Sequence, residues 1–438
     1  MSGILSGNLL FGSPPKKLKR QGFDSFKNLP DPRYSFTLSA SAFFHNSLFL
    51  RLFVKSKTKD MKQSLQVALL ILIMLGLTNC QKAKTDIYYQ KKYVKEIKEA
   101  RKEAAFFMGR NFIPGGSVAI CLNGELIYSE GVGYASTDLE VPATRKTKFR
   151  IGDLSELYTN AVYQKLLEDG VLNEDSAIQK YYPQFPEKEG VITPKLLAYE
   201  VAGIKTPEAD DRHRHGTNIG LEKAIERFKD DPLVIKPGTY QLPSIYNYNL
   251  LGLVMEKASN KNFPKLLSEY LTDTLKLENT VVDNPMTTIK NRSDFFELNL
   301  ISQVVNSVFY DLRQNASSEG ILSNAEDLAK FGNAMLHSEY FSKVREKTFQ
   351  KITIADNVEA TMANGWVIFN DRDGRVVYGR QGTVPGGGGS LIMYPEYDLV
   401  IAFTCNVTAS VNDTPVFTMA APFLPKPAQE TEETEQKK

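Results

Sequence analysis

The sequence predicts a mixed α/β (α+β) fold in which an antiparallel sheet is flanked by helices and a helical lobe is inserted between its strands. Three observations carry this. Strand-type apolar runs lie towards both ends of the globular region, at residues 117–128 and 365–403. The stretch between them is rich in helix signals and polar loops. Neighbouring strand runs are joined by turns too short for a parallel crossover, so the sheet is mainly antiparallel and closes by pairing its first hairpin with its last strands. Composition agrees: 42% hydrophobic and 24% charged residues describe a soluble globule. A net charge of +2 supplies no bulk field for nucleic acid, and no nucleic-acid partner is expected.

The elements follow in order. Residues 1–60 are basic (Lys16, Lys17, Lys19, Arg20, Arg51, Lys55, Lys57, Lys59) and show no period of 2 or 3.6. They are read as an over-extended start ahead of a true initiator at Met61, or else as a disordered basic leader. Residues 61–80 read as a lipoprotein signal peptide. Met61-Lys62 opens it, the apolar run 67–77 is too short to span a bilayer, and Leu77-Thr78-Asn79-Cys80 closes it. The Leu-x-x-Cys ending resembles a lipobox, which implies lipidation at Cys80 and a membrane-anchored protein of the cell envelope, periplasmic or on the outer surface. An ordinary secretory signal with a coincidental cysteine is the alternative. Residues 81–87 are a polar tether to the domain, 88–424, and 425–438 are an acidic, Lys-rich tail expected to be disordered.

Within the domain, Tyr93, Val94, Ile97, Ala100, Ala104 and Met108 recur at helical spacing, predicting an amphipathic helix from 88 to 108. Asn123-Gly124 between two apolar runs predicts a hairpin. Residues 153–169 read as a helix with Leu154, Leu157, Ala161, Leu166 and Leu167 on its buried side and Gly170 as its stop. Pro194 opens another, and 249–257 and 264–275 are further helices. Strands return at 365–369, 376–378, 390–394 and 399–403, with Asp371-Arg372-Asp373-Gly374 as a turn. Cys121 and Cys405 are expected as buried thiols, with pairing open to them if export removes the reducing cytosol. Asp210, Asp211, His213 and His215 lie in a polar loop and are read as solvated surface, with no metal site and no cofactor expected. Gly386 to Gly389 read as a flexible hairpin, and Trp366 and Phe369 as core.

The order of short motifs resembles the class C-type serine β-lactamases, related esterases and DD-peptidases. Ile113-Pro114-Gly115-Gly116-Ser117 with its Asn-Gly hairpin is similar to that family's opening. Thr147-Lys148-Phe149-Arg150-Ile151-Gly152 looks like the stretch leading to its nucleophile. Tyr181-Tyr182-Pro183, Lys236-Pro237-Gly238-Thr239, Leu250-Leu251-Gly252 and Glu319-Gly320-Ile321-Leu322-Ser323 resemble its later landmarks. The resemblance covers about residues 88–424 and implies a β-lactamase/transpeptidase-like fold.

It also implies a Ser-x-x-Lys nucleophile pair, a Tyr-x-Asn loop and a Lys-Thr-Gly or His-x-Gly strand. Here the Ser and Lys positions hold Asp153 and Glu156, the Tyr-x-Asn slot holds Pro243-Ser244-Ile245, and the strand motif reads Arg380-Gln381-Gly382. Asp153 with Glu156 three residues on resembles a capping box. Two carboxylates facing a strand that carries Arg380 predict a salt bridge from Arg380 to Asp153 or Glu156. Three functions are therefore open: a non-catalytic binding or scaffolding lipoprotein with a peptidoglycan-peptide or small-molecule ligand in the old cleft, a hydrolase using other residues, or a purely structural lipoprotein.

Overall fold

Residues 86–208, 220–408 and 414–426 are described by a computed structural model. The expectations for residues 1–85, including Cys80, for Asp210, Asp211, His213 and His215, and for the tail beyond Lys426 fall outside them, while Ile87, expected in the tether, pairs with Glu130 in a strand. Among the described residues a nine-stranded antiparallel sheet forms the centre. Its strands are β1 (Ile87–Tyr89), β2 (Gly115–Leu122), β3 (Glu125–Ser136), β4 (Val141–Pro142), β5 (Met362–Ala363), β6 (Trp366–Asn370), β7 (Val376–Val384), β8 (Gly387–Tyr394) and β9 (Leu399–Cys405). Their spatial order is β1-β3-β2-β9-β8-β7-β6-β5, with β4 on β3. The first hairpin therefore closes on the last strand, with Ile401 opposite Ile120 and Phe403 opposite Val118.

The local chemistry accounts for the connections. Asn123 and Gly124 sit at φ 52° and 79°, the left-handed pair that a tight hairpin requires. Asp371 accepts bonds from the backbone N–H groups of Asp373 (2.9 Å) and Arg375 (2.9 Å), fixing the β6–β7 turn. Every residue of β8 and β9 is buried, because both faces of the sheet are covered.

One face packs on helix α1 (Val94–Arg110) and the short helix Val416–Ala420, with Phe107 edge-on to Phe403 at 5.6 Å. The other packs on the inserted lobe, built around α2 (Ser155–Glu168), α3 (Ile245–Ser259) and α4 (Ala325–His337). Full burial of each large apolar side chain contributes roughly 2 kcal/mol, which makes this two-sided sheet the main source of stability.

Several expectations need correction. Tyr88 belongs to edge strand β1, paired with Ser129, and the helix begins at Val94. The helical period of the apolar residues does hold from there. Helix α2 is buried on all sides from Ser155 to Leu166 rather than along one stripe. Three of its polar residues donate to distant segments: Asn160 to the Tyr248 hydroxyl (2.6 Å), Gln164 to Asn364 (3.1 Å), and Thr159 to the Ser317 carbonyl (2.6 Å). Cys121 and Cys405 are both free and buried, on opposite faces of the sheet, with Cys121 opposite Val400 and Cys405 opposite Gly116. They cannot pair. Gly387 and Gly389 are buried strand residues, not a loose hairpin; a Cβ on Gly387 would lie 2.6 Å from Arg150. Phe369 is 37% exposed, whereas Trp366 is fully buried as expected. Pro425, the first residue of the anticipated tail, accepts a bond from Arg375 (2.7 Å).

Candidate functional site

The site is built where the start of α2 meets β7. The short strand Phe149–Arg150 leads into a 3-10 turn, Gly152–Leu154, and then into α2. Arg150 anchors this entry from below, ion-paired with buried Asp283 (3.1 Å) and donating to the carbonyls of Tyr310 (2.8 Å) and Pro385 (2.8 Å). Two glycines then allow backbone to lie on backbone. A Cβ at Gly382 would meet the Ile151 carbonyl oxygen at 2.2 Å, and one at Gly152 (φ 54°) would meet Thr383 at 2.6 Å. This close approach puts residues 153 and 156 directly against residues 380–383.

Glu156 and Arg380 form a buried ion pair, with Glu156 1% exposed. The guanidinium also donates to the Gly365 carbonyl oxygen (3.1 Å), so both of its arms are engaged. The expected bridge thus goes to Glu156. Asp153 turns instead towards the strand, and its carboxylate accepts the Thr383 backbone N–H (3.3 Å). The capping box does not form: Leu154 is the N-cap of α2 and makes no side-chain capping bond. Ion pairing won over capping because a buried carboxylate gains more from a guanidinium than from one N–H.

A third carboxyl was not found in the sequence. Glu200 is 1% exposed, lies beside the pair, and sits at φ 57°, an uncommon backbone conformation for a side chain of this size. One of its oxygens accepts the Ser244 N–H (3.3 Å), while the other is buried without a hydrogen-bond partner. Burial pushes its carboxyl up to about 7, against the pull of Arg380. Burial also holds Glu156 above the ordinary carboxylate range, again opposed by Arg380. Burial works against the Arg380 charge, but Glu156, Glu200 and Asp153 together keep it above its ordinary value.

Pro243, Ser244 and Ile245 form the opposite rim, where Ser244 caps α3. The Ser244 hydroxyl donates to the Lys205 carbonyl (2.7 Å) and accepts the Tyr246 N–H (3.3 Å), so it is committed to structure. The groups enclose a cavity of about 450 Å³. Its apolar side is made by Met362, Val367, Phe369, Ile392 and Phe417, with Phe369 edge-on to Phe417 at 6.0 Å. All the sequence-level positions, Asp153, Glu156, Pro243, Ile245 and Arg380, line it, while Gly382 serves the backbone approach. No group of three or more His, Cys, Asp or Glu among the described residues is placed to hold a metal ion.

Acyl transfer of the Ser-x-x-Lys type uses a hydroxyl, a proton-relaying amine and backbone N–H donors facing an oxyanion. At the positions that the resemblance assigns to the hydroxyl and the amine stand Asp153, whose carboxylate accepts the Thr383 N–H, and Glu156, paired with Arg380. Three carboxyls and one guanidinium therefore line the cleft.

A family model described as Beta-lactamase matches residues 100–418. The chain belongs to the beta-lactamase family. Within that family it is 27% identical over 293 residues to the human mitochondrial serine beta-lactamase-like protein LACTB, covering 51% of this chain and 53% of that protein. It is 24% identical over 307 residues to Protein flp of Staphylococcus aureus strain MW2, covering 68% of this chain and 61% of flp. The chain thus spans about half the length of LACTB and three fifths of flp. Among solved structures, a beta-lactamase-family fold is shared with the octameric penicillin-binding protein homologue from Pyrococcus abyssi. That match has a TM-score of 0.64, 21% identity, and covers 74% of this chain and 76% of the other. A class C beta-lactamase matches with a TM-score of 0.64 and 16% identity, covering 76% and 98%. The expected fold, antiparallel sheet with flanking helices, is that of these neighbours.

Proposed function

We propose that this beta-lactamase-family protein is a non-catalytic binding protein of the cell envelope, held to the membrane through lipid on Cys80, with the remodelled cleft as its ligand site. The observation that carries the reading is the buried Arg380–Glu156 pair standing where the family resemblance implies an amine. A guanidinium locked onto a carboxylate neither attacks a carbonyl nor relays a proton, because its own proton is held too firmly. The lipid anchor rests on Leu77-Thr78-Asn79-Cys80 alone. A peptidoglycan peptide or another small molecule is the ligand class that the resemblance implies.

One observation favours a second reading, a hydrolase of the family type. Ser244 lines the cavity beside Glu200, a carboxyl poised near neutrality. In that reading Ser244 gives up its bond to the Lys205 carbonyl and attacks with Glu200 as base. A fluorophosphonate probe separates the two. The non-catalytic reading expects no covalent labelling of the purified protein, and labelling that disappears in Ser244→Ala would establish the hydrolase instead.

A further inference from the structure

We infer that the cleft takes a cationic amine carried on an apolar body, with the ammonium held between Glu200 and Asp153. The inference deepens the non-catalytic reading and rests on it for the cleft being a ligand site. Four charged residues line the cavity: Asp153, Glu156, Glu200 and Arg380. Three are carboxyls and one is a cation, and that cation is bound to Glu156 and to the Gly365 carbonyl. Glu200 is left with a buried oxygen that has no partner, an arrangement that native interiors seldom tolerate without a ligand or water to complete it. An ammonium brings N–H donors and a compensating charge together, which supplies both things Glu200 lacks.

The remaining wall is apolar, formed by Met362, Val367, Phe369, Ile392 and Phe417. A bare ammonium would leave that surface wet, whereas an aryl or alkyl body fills it. At about 450 Å³ the cavity suits an arylalkylamine or an amine-bearing peptide side chain.

The pH response follows from the groups around Glu200. It faces Arg380 on β7, Asp153 in the turn before α2, Glu156 on α2 and Tyr248 on α3. Its carboxyl is pushed up to about 7, so an ammonium must displace a proton below that pH. Affinity therefore rises about tenfold between pH 6 and pH 8, as the ionised share of Glu200 climbs from about a tenth to about nine tenths.

The test uses the full-length chain and three probes of matched shape: 4-phenylbutylammonium, 4-phenylbutanol and 4-phenylbutyrate, followed by titration calorimetry. The ammonium should bind at least about tenfold more tightly than either comparator at pH 8, and Glu200→Gln should abolish both the preference and its pH dependence. Thermal unfolding verifies that Glu200→Gln is folded, and Asp153→Asn, expected to weaken binding severalfold, serves as the second variant. Equal or tighter binding of 4-phenylbutyrate, or unchanged ammonium binding in a folded Glu200→Gln, overturns the inference. A fluorophosphonate adduct with ammonium binding intact overturns the non-catalytic reading alone. No ammonium binding to an unlabelled protein overturns the amine inference alone.

Discussion

Replacing Glu200 with glutamine should stabilise the protein in alkali and change it little in acid. Gln keeps the shape and still accepts the Ser244 N–H, but removes an ionisable group that is 1% exposed. Burial carries the carboxyl from an ordinary 4.5 to about 7. At about 1.36 kcal/mol per pH unit this corresponds to roughly 3 kcal/mol. The folded state holds the proton more tightly than the unfolded chain. The stabilising contribution is therefore complete below about pH 4.5 and is lost as pH rises through about 7. Between pH 5 and pH 8 the wild type gives up roughly 2–3 kcal/mol through this group, and the glutamine variant gives up none. Urea unfolding followed by the fluorescence of Trp366, the single and buried tryptophan, reads the difference directly. A variant-minus-wild-type difference that is equal at pH 5 and pH 8, or a variant that loses stability at pH 8, would show that the buried Glu200 carboxyl is not raised.

Three further outcomes are expected. Arg380→Ala strands the Glu156 carboxylate and should cost about 3 kcal/mol, with Glu156→Gln in the same chain recovering at least half of it in a double-mutant cycle; additive losses would show that the pair is not coupled. Gly382→Ala drives a methyl group to 2.2 Å from the Ile151 carbonyl oxygen and should cost about 2–3 kcal/mol or prevent folding, so an unchanged melting temperature contradicts the described contact. Metabolic labelling with a palmitate analogue should mark the wild type and not Cys80→Ala, and equal labelling of both would remove the lipid anchor.

What the sequence revealed and what it hid divide along the range of the interactions. The Asn123-Gly124 hairpin, the Pro194 helix start and the Asp371 turn were legible because each is specified by neighbours in the chain. The Arg380–Glu156 pair joins residues 224 apart and was still reachable, because the family resemblance placed the two positions across one cleft. The all-round burial of α2 was not legible. It depends on Tyr248, Ser317 and Asn364 arriving from distant segments to accept from Asn160, Thr159 and Gln164. Glu200 was missed for the same reason. In Leu196-Leu197-Ala198-Tyr199-Glu200-Val201-Ala202 it looks like a solvated residue at a helix end, and only the fold shows its side chain buried among other acids. The one available signal was a lone acid inside an apolar run. Edge strand β1 was absorbed into the following helix because three residues are too few to show a period of 2.

The non-catalytic reading requires that no acyl transfer occur in the cleft. Intact-mass measurement of the full-length chain after prolonged exposure to benzylpenicillin tests it. The expected spectrum is identical to that of the untreated protein, because the positions that the family resemblance assigns to attack and proton relay hold Asp153 and Glu156, with Glu156 tied to Arg380. A mass increase of one penicillin per chain, removed by Ser244→Ala or by Thr206→Ala, the two hydroxyl residues that line the cavity, would contradict it.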